Sequence, residues 1–457
     1  GTPIYGVTTG FGALDGRPVA ALDNAMQQQN LLRSHAAGVG PAMAADSVRA
    51  MMLVRANVLA TGLTGVKLAT LEALIAMLNA GVIPKVPQQG SVGACGDLAP
   101  LAHMALPLIG EGEAAIEPGG EWLPGKLAMA RAGIPLVDIA GRDGIALING
   151  TEQTTGIGCL VASDAGRLVA AAEFAAALSL EALGGLTDSF DERVALAKPH
   201  PGQVATSQRL RSLTEGSAAA LAPRPGRLRD ALSLRCIPQV LGATRDALRH
   251  CVEALTVEIN AANDNPLFGV ADGWVTSNSG NFHGQRAGEV LDYLANALTS
   301  LAVISERRSA RLVDVNHNNG LPAFLIHPEA PQGVNSGFMI AQYSAASLVA
   351  EMRMHAVPAS IQSIPTCANT EDHVPMSPLA ARRAAFVVEA AATVVAIELL
   401  LAAQAIDLRG IEPAPALRAG YRAIRERVPV MVADRVLSRD IEAVRGLLAL
   451  GAFDAEP

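Results

Sequence analysis

The sequence predicts a mainly α-helical protein built around a bundle of long central helices. Half of the 457 residues are hydrophobic but only 3% are aromatic, so apolar burial must come mainly from Ala, Leu, Val and Ile. This composition is typical of helices. Several long segments are apolar on nearly all sides, which indicates burial against other helices or against neighbouring subunits.

The predicted elements follow one another as glycine-punctuated loops, short helices and then long helices. Residues 1–40 combine loops with one amphipathic segment at 19–33, and apolar residues recur at helical spacing over 44–78. Clustered Gly and Pro at 110–140 favour a small β-hairpin or a surface excursion. Long helices are predicted at 150–186, 240–260, 284–312, 335–356 and 378–408, and an exposed, mobile excursion at 199–230.

This order predicts three domains. The first, 1–150, holds the glycine-rich turns, the second, 151–409, is the long-helix bundle, and the third, 410–457, is a C-terminal helical segment. The chain opens at Gly1 rather than Met, so a further segment upstream is not excluded.

Charge and hydropathy exclude two classes of partner. With 35 Lys and Arg against 43 Asp and Glu, the net charge of −8 argues against binding to nucleic acid. The most apolar stretch, 384–406, contains Glu389, Glu398 and Gln404, which favours a buried core helix over a membrane span. Five cysteines without a CxxC pair indicate a reducing compartment, and a cytoplasmic location is expected.

Motifs for metals and nucleotides are missing from the sequence. The nine histidines are scattered without HxxxH or HExxH spacing, and no sequence of the form GxGxxG, or GxxxxGK followed by Ser or Thr, supports a nucleotide site. We therefore expect neither a metal nor a nucleotide cofactor.

The richest chemical signal is a turn with three glycines within 90–96. A compressed backbone there lets the Gly96 nitrogen reach the Ala94 carbonyl carbon and close a five-membered ring, because Ala94 is small and Gly96 lacks a Cβ. Loss of water and β-elimination at residue 95 then leave an exocyclic methylene conjugated to a carbonyl. The product, methylidene-imidazolone, is an electrophile that no ordinary side chain supplies.

The segment 90–103, GSVGACGDLAPLAH, closely resembles the signature of the histidine and aromatic amino acid ammonia-lyases, in which the central triplet is Ala-Ser-Gly. The resemblance implies the fumarase/aspartase-like helical bundle, a homotetramer with shared active sites, and an amino acid substrate. Further segments match the family in order: 4–12 (IYGVTTGFG), 34–38 (SHAAG), 146–151 (ALINGT), 233–236 (SLRC), 280–283 (GNFH), 335–339 (NSGFM) and 368–373 (ANTEDH).

Cys95 stands where the family has the cyclising serine. A thiol has an ordinary pKa of about 8.5, so thiolate is a better leaving group than alkoxide and the ring can form. Two alternatives remain open at this point. Cys95 either stays a thiol that acts as a covalent nucleophile, or is a silent buried residue.

The resemblance assigns roles to the other site residues, each with a structural alternative. Tyr5 corresponds to a mobile acid or base, although a loop tyrosine is often only a packing residue. Asn149 and Asn335 correspond to residues that orient the electrophile or the substrate, and Arg235 to a clamp on the substrate carboxylate. For these three residues the alternative is a structural hydrogen bond.

The remaining assignments concern the side chain of the substrate. His35 and Glu371 resemble the pair that handles an imidazole in histidine-specific members and assists proton removal. Otherwise His35 is a core histidine, and Glu371 is a solvated carboxylate or the start of a helix. Phe282 corresponds to an apolar wall of the pocket, or simply packs in the core.

Two further departures from the family accompany Cys95. Arg229 and Leu232 replace a Gln and a Tyr before the SLR segment, and leucine has no hydroxyl with which to move a proton. Thr370 alters the family's Asn-Gln-Glu/Gln-Asp segment. Together these changes indicate a remodelled site.

The function expected from this resemblance is elimination of ammonia from an amino acid by a histidine ammonia-lyase type of enzyme. Arg235 would hold the carboxylate, the cyclised triplet would capture the amine or ring, and Tyr5 or Glu371 would remove a β-proton. An aminomutase would use the same site. The alternatives are thiol-dependent acyl transfer or condensation at an uncyclised Cys95, and a non-catalytic scaffold.

Overall fold

The computed structural model describes residues 3–217, 228–269, 273–331 and 333–454. These residues divide into two compact units, each made of three separate stretches of chain. The first unit contains 1–161, 251–292 and 358–384, and the second contains 162–250, 293–357 and 385–457. The division at 150 and 409 that the sequence suggests stays a prediction.

The first unit carries the shorter helices of the N-terminal part, which confirms helices within 19–33 and 44–78. Gly158 lies in a longer helix of this unit, where an added Cβ would come within 3.2 Å of Leu255 and 3.3 Å of Leu291. Such close approach explains why a small residue stands there. The short helices are Asn24–His35, Ala45–Ala60, Leu68–Asn79, Leu98–Ala105, Gly125–Arg131 and Asp143–Ile148.

Small antiparallel sheets complete the first unit. Val39–Ala42 pairs with Pro87–Gln89, and Leu267–Gly269 pairs with Trp274–Thr276. In a third sheet, Glu113–Ala115 lies between Ile83–Pro84 and Leu123–Pro124. The pairing of Glu113–Ala115 with Leu123–Pro124 confirms the hairpin predicted within 110–140.

Four long helices each contribute residues to both units. They are Glu152–Leu183, Ile237–Ile259, Gln285–Val313 and Ser377–Arg409, and they confirm the corresponding predictions to within a few residues. Within the second unit, alanines such as Ala172, Ala176 and Ala396 are fully buried. The small side chains let helices pack closely, which accounts for the alanine-rich composition.

Buried polar contacts join these helices in the second unit. Glu398 is fully buried and accepts hydrogen bonds from Ser179 (2.7 Å), Ser305 (2.6 Å) and both ends of the Arg308 guanidinium (2.5 and 2.8 Å). Among the described residues, Gln285–Val313 and Ser377–Arg409 are long and apolar enough to cross a membrane, yet both are mostly buried in the protein. A buried core helix at 384–406 is thereby confirmed.

The remaining helices of the second unit correct one prediction. The exposed excursion expected over 199–230 is wrong at Pro201–Thr214, which is a helix that buries Leu210 and Leu213. Proline at its first position fits a helix start. Residues 218–227 of that predicted excursion lie outside the described residues. Other helices here are Glu192–Ala197, Leu232–Arg235, Met339–Met354, Arg418–Arg427 and Leu437–Ala449.

Candidate active site

The turn at 93–96 is tightly bent in the way that the glycines predict. Gly93 and Gly96 have φ of 75° and 78°, a region that favours glycine, and the backbones of Gly93 and Ala94 both pair with Gly96. A Cβ on Gly96 would lie 2.3 Å from the Gly150 nitrogen. The Asp97 N–H donates to the Gly150 carbonyl at 2.6 Å, which fixes the turn against that segment.

Asn149 aims its amide at the centre of the turn. Its Nδ2 donates to the Cys95 carbonyl oxygen at 2.7 Å, and its Oδ1 accepts from the Asn265 N–H at 2.8 Å. Because Asn265 presents a donor, the amide orientation is fixed. The carbonyl of Cys95 therefore faces a directed hydrogen-bond donor.

Tyr5 lies half-buried in a loop that the following helix holds in place. Its hydroxyl accepts from the Gly12 N–H at 2.9 Å, and its ring meets Phe11 edge-on at 6.3 Å. Gln28 donates to the Gly6 carbonyl at 2.8 Å and so anchors the loop to helix Asn24–His35. Burial raises the pKa of Tyr5 above its ordinary value, so the phenol keeps its proton near neutral pH.

His35 ends helix Asn24–His35 and faces the same space. Its Nδ1 lies 2.9 Å from the Leu31 carbonyl oxygen, which can only accept, so Nδ1 carries the hydrogen and Nε2 is left as an acceptor. Burial lowers the pKa of His35, although the Leu31 bond and the Glu371 charge oppose it. The imidazole is therefore neutral near pH 7.

Glu371 stands beside the sulfur of Cys95. Thr366 Oγ1 donates to Glu371 Oε2, and the backbones of the two residues also pair. Burial raises the pKa of the Cys95 thiol, and its hydrogen bond to Glu371 raises it further. The sulfur is consequently held as a protonated thiol. Glu371 does not begin a helix, since the next helix starts at Ser377.

Cys367 brings a second sulfur to this region. It is exposed and opens a turn in which Cys367, Ala368 and Asn369 all have φ between 50° and 67°. This left-handed conformation is uncommon for residues other than glycine. The sulfur packs against Gly12, where an added Cβ would lie 2.7 Å from it.

One cavity of about 720 Å³ joins these groups within the first unit. Tyr5, His35, Cys95, Asn149 and Glu371 all line it. Cys95 is flanked in the turn by Ala94 and Gly96, the other two members of the predicted ring. Apolar side chains cover much of the remaining wall: Phe11, Leu14, Leu31, Leu98 and Ile145.

Three predicted site residues lie elsewhere. Arg235 ends helix Leu232–Arg235, and Asn335 accepts from the Asp434 N–H at 2.7 Å; both belong to the second unit. Phe282 is half-buried in the first unit, before helix Gln285–Val313, and is not among the described residues that line the cavity. Leu232, which replaces the family tyrosine, is 61% exposed.

The structure also shows site residues that sequence reasoning missed. Asp97 is fully buried and accepts from the Thr154 N–H at 2.8 Å and from Ser91 Oγ at 3.2 Å. The signal for Asp97 was a charged residue inside an apolar, glycine-rich segment. For Asn265, the available signal was the run of polar residues at 263–265 before a proline. Nothing in the sequence indicates the hydrogen bond between Thr366 and Glu371. In the part of the chain that the structure describes, no group of three His, Cys, Asp or Glu could hold a metal.

Comparisons with known proteins identify relatives along nearly the whole chain. The profile of the family described as aromatic amino acid lyase matches residues 1–426. A histidine ammonia-lyase from Symbiobacterium thermophilum is 50% identical over 456 residues, covering 99% of this chain and 88% of that protein. Tyrosine aminomutase from Streptomyces globisporus has a TM-score of 0.93 at 39% identity, covering 99% of this chain and 88% of that one.

A second solved structure gives the same result. Histidine ammonia-lyase from Trypanosoma cruzi has a TM-score of 0.90 at 37% identity, covering 98% of this chain and 84% of that chain. The similarity thus extends over nearly the whole chain in sequence and in fold.

Proposed function

The chain belongs to the aromatic amino acid lyase family, and we propose that it eliminates ammonia from L-histidine or a closely related amino acid. It is a carbon–nitrogen lyase of the histidine ammonia-lyase type. The observation that carries the proposal is the convergence of Tyr5, His35, Cys95, Asn149 and Glu371 on one cavity.

The family uses a methylidene-imidazolone group, and we propose that Ala94, Cys95 and Gly96 form it here. The residues fit the group: Gly96 has a positive φ, its backbone pairs with that of Ala94 across the turn, and Asn149 donates to the carbonyl of Cys95. When present, the group supplies an electrophile that turns an amine into a good leaving group. Asn149 would withdraw electrons from the conjugated carbonyl through its 2.7 Å hydrogen bond.

The state of the Cys95 sulfur argues against the alternative of a thiolate nucleophile. Reactive cysteines owe their nucleophilicity to a lowered pKa. Here burial and the Glu371 carboxylate raise the pKa of the thiol instead. Thiol-dependent acyl transfer is therefore the weaker proposal.

We assign the imidazole of the substrate to His35 and Glu371. The free Nε2 of neutral His35 accepts one N–H of an imidazole, and the carboxylate of Glu371 accepts from the other donor or stabilises positive charge. Apolar side chains such as Leu31 and Leu98 would enclose the ring edge. An imidazole satisfies both groups better than a plain phenyl ring does.

The carboxylate of the substrate would pair with Arg235. Its buried Nε has no hydrogen-bond partner among the described residues, so the guanidinium retains a donor for an anion. Asn335 and Phe282 keep their proposed places as a substrate-orienting amide and an apolar wall.

Removal of the β-proton falls to Tyr5 or Glu371, which are the two candidate bases in the cavity. Tyr5 must lose its own proton before it can accept another, and burial opposes that loss. Glu371 already stands as an acceptor toward Thr366 and Cys95. The pH dependence of turnover distinguishes the two.

We also propose a homotetramer in the cytoplasm. Apolar side chains are exposed on helix Met339–Met354, where Ile340, Tyr343 and Met354 are 56%, 58% and 81% accessible. Their spacing places them on one helix face, which a neighbouring subunit would cover.

A second candidate function is an aminomutase, which the similarity to tyrosine aminomutase favours. Lyase and mutase differ in whether ammonia leaves or returns to the β-carbon. Chromatography of the products separates them, because a mutase yields a β-amino acid whereas a lyase yields only the α,β-unsaturated acid and ammonia.

Intact mass of the purified, reduced protein tests the ring. We expect a deficit equal to one water plus one hydrogen sulfide, with near-ultraviolet absorbance, and ammonia release from histidine above other amino acids. Cys95→Ser should form the same ring after losing two waters. Cys95→Ala should keep the fold, lack the absorbance and lose at least about a thousandfold in kcat. An unmodified mass in active wild-type protein would exclude this mechanism.

A further inference from the structure

A fully buried ion pair lies behind the bent turn of the active site. Arg55, on helix Ala45–Ala60, and Glu152, the first residue of helix Glu152–Leu183, have no exposed side-chain surface. Arg55 Nη1 lies 2.7 Å from Glu152 Oε1. Burying two charges is costly and does not by itself stabilise a fold, so the pair calls for another explanation.

The Arg55 guanidinium donates hydrogen bonds to two backbone segments: the one that carries the Asn149 side chain and the one that precedes Asn265. It donates to the carbonyl oxygens of Ala146 (2.9 Å), Asn149 (3.3 Å) and Asn263 (3.1 Å). Asn263 is two residues from Asn265, whose N–H fixes Asn149 Oδ1. One side chain thus ties together the segment that carries the amide and the segment that orients it.

Only glycine separates Arg55 from the turn. A Cβ on Gly150 would lie 2.3 Å from Arg55 Nη1, and a Cβ on Gly96 would lie 2.3 Å from the Gly150 nitrogen. Gly96 therefore packs against Gly150, and Gly150 packs against Arg55, so the Arg55 guanidinium lies directly behind the bent backbone of the turn.

We propose that Arg55 is a positioning residue for the reactive turn, which sets closure of the 94–96 ring and the aim of the Asn149 amide at the Cys95 carbonyl. This inference rests on the proposed function. Glu152 balances the charge and fixes the guanidinium, so that its donors meet the three carbonyls. Lysine cannot replace it, because one flexible ammonium does not span three carbonyls and a carboxylate.

The test compares Arg55→Lys with Arg308→Lys. Arg308 and Glu398 form an equally buried pair in the second unit, so Arg308→Lys controls for the loss of a buried guanidinium. We expect similar losses in thermal stability. Only Arg55→Lys should slow ring closure, followed by mass and absorbance, by at least tenfold.

A second readout separates positioning from folding. In the ring-bearing fraction of Arg55→Lys, kcat should fall at least tenfold while KM changes little, because Asn149 acts on the Cys95 carbonyl and does not hold the substrate. Combining Arg55→Lys with Asn149→Ala should add little to Asn149→Ala alone, since both act through one amide.

Each other outcome has a distinct meaning. Ring closure and kcat in Arg55→Lys equal to those of Arg308→Lys would overturn the inference. A wild-type protein that never closes the ring refutes the proposed function instead. If Arg55→Lys does not fold, Glu152→Gln against Glu398→Gln provides the same comparison with smaller changes.

Discussion

Residue-scale chemistry centres on a thiol that the protein keeps protonated. Cys95 is half-buried beside Glu371; burial and the hydrogen bond to Glu371 raise the pKa of its thiol, and Asn149 donates to its carbonyl oxygen. A sulfur in this setting is poorly suited to attack a substrate, but its bond to carbon can still break during elimination. The raised pKa therefore argues against Cys95 as a nucleophile.

The pH dependence of turnover identifies the base. If Tyr5 removes the proton, kcat should rise with pH on the alkaline side, because burial raises the pKa of the phenol and only the phenolate accepts. Tyr5→Phe should then lower kcat by about 10²–10⁴ and remove the alkaline rise. The measurement is kcat against pH for both proteins.

If kcat of the wild type does not change with pH on the alkaline side, and Tyr5→Phe retains activity, removal of the β-proton is assigned to Glu371. On the acid side, activity should fall as His35 becomes protonated. Because burial lowers the pKa of His35, this fall is expected below pH 6.5, the ordinary value.

Asp97 makes stability depend on pH. Burial raises its pKa from 3.8 to about 7, against the opposing hydrogen bonds from Thr154 and Ser91. Between these values the folded protein holds a proton that the unfolded chain releases. The contribution of Asp97 to the free energy of unfolding is therefore full below about pH 4 and is lost as the pH rises through about 7. The loss amounts to about 4 kcal/mol.

Urea unfolding of the wild type and Asp97→Asn at pH 5 and pH 8 measures this effect. The stability of the wild type relative to the variant should fall between the two values. Parallel changes in both proteins would contradict the assigned titration.

At the scale of single elements, helix Glu152–Leu183 shows that the surrounding atoms determine the effect of replacing a glycine by a larger residue. An added Cβ at Gly156 would lie 2.8 Å from the Met51 nitrogen, whereas nothing lies within 4 Å of one at Gly166. The two positions have helical backbone in common, so they differ mainly in surroundings.

The same substitution should therefore have opposite effects at the two positions. Gly156→Ala should cost about 1–3 kcal/mol through overpacking. Gly166→Ala should add about 0.5–1 kcal/mol, since alanine favours a helix and restricts the unfolded chain. Thermal unfolding midpoints measure both, and changes of equal sign would contradict the explanation.

The elements were largely predictable, because each long helix repeats its apolar pattern over several turns. The helix Pro201–Thr214 was missed since its Pro, Arg and Ser residues are typical of loops, while its burial of Leu210 depends on tertiary contacts. For the candidate site, the motifs predicted Tyr5, Cys95 and Asn149, which line one cavity in the structure. The position of Arg55 behind the turn could not be predicted, because nothing in the local sequence distinguishes a buried arginine from a surface one.

Considered as a whole molecule, the protein builds its cavity from distant parts of the chain. Tyr5, Cys95 and Glu371 meet in one unit, although that unit consists of three separate stretches. Helix Met339–Met354 meanwhile presents apolar side chains outward. The cavity therefore forms only when the three stretches have come together, and in the proposed homotetramer a neighbouring subunit would cover the apolar helix face.

A charge on the apolar helix face should break the proposed tetramer. Tyr343→Glu places a carboxylate where we expect a partner subunit, and burying it unpaired is costly. Light scattering should show a smaller species than for the wild type. Leu450→Glu, at a leucine that is 79% exposed just beyond helix Leu437–Ala449, should leave the assembly intact. Tetramers of unchanged size in Tyr343→Glu would place the interface elsewhere.

The discontinuous first unit has a consequence for biosynthesis. Its last stretch ends at residue 384, so the ribosome must add nearly 300 residues after Cys95 before the unit is complete. At about 5–20 residues per second, this takes roughly 15–60 seconds. Throughout that interval the nascent polypeptide carries an ordinary sulfhydryl, and the redox conditions of translation act on it before the proposed ring closure can begin.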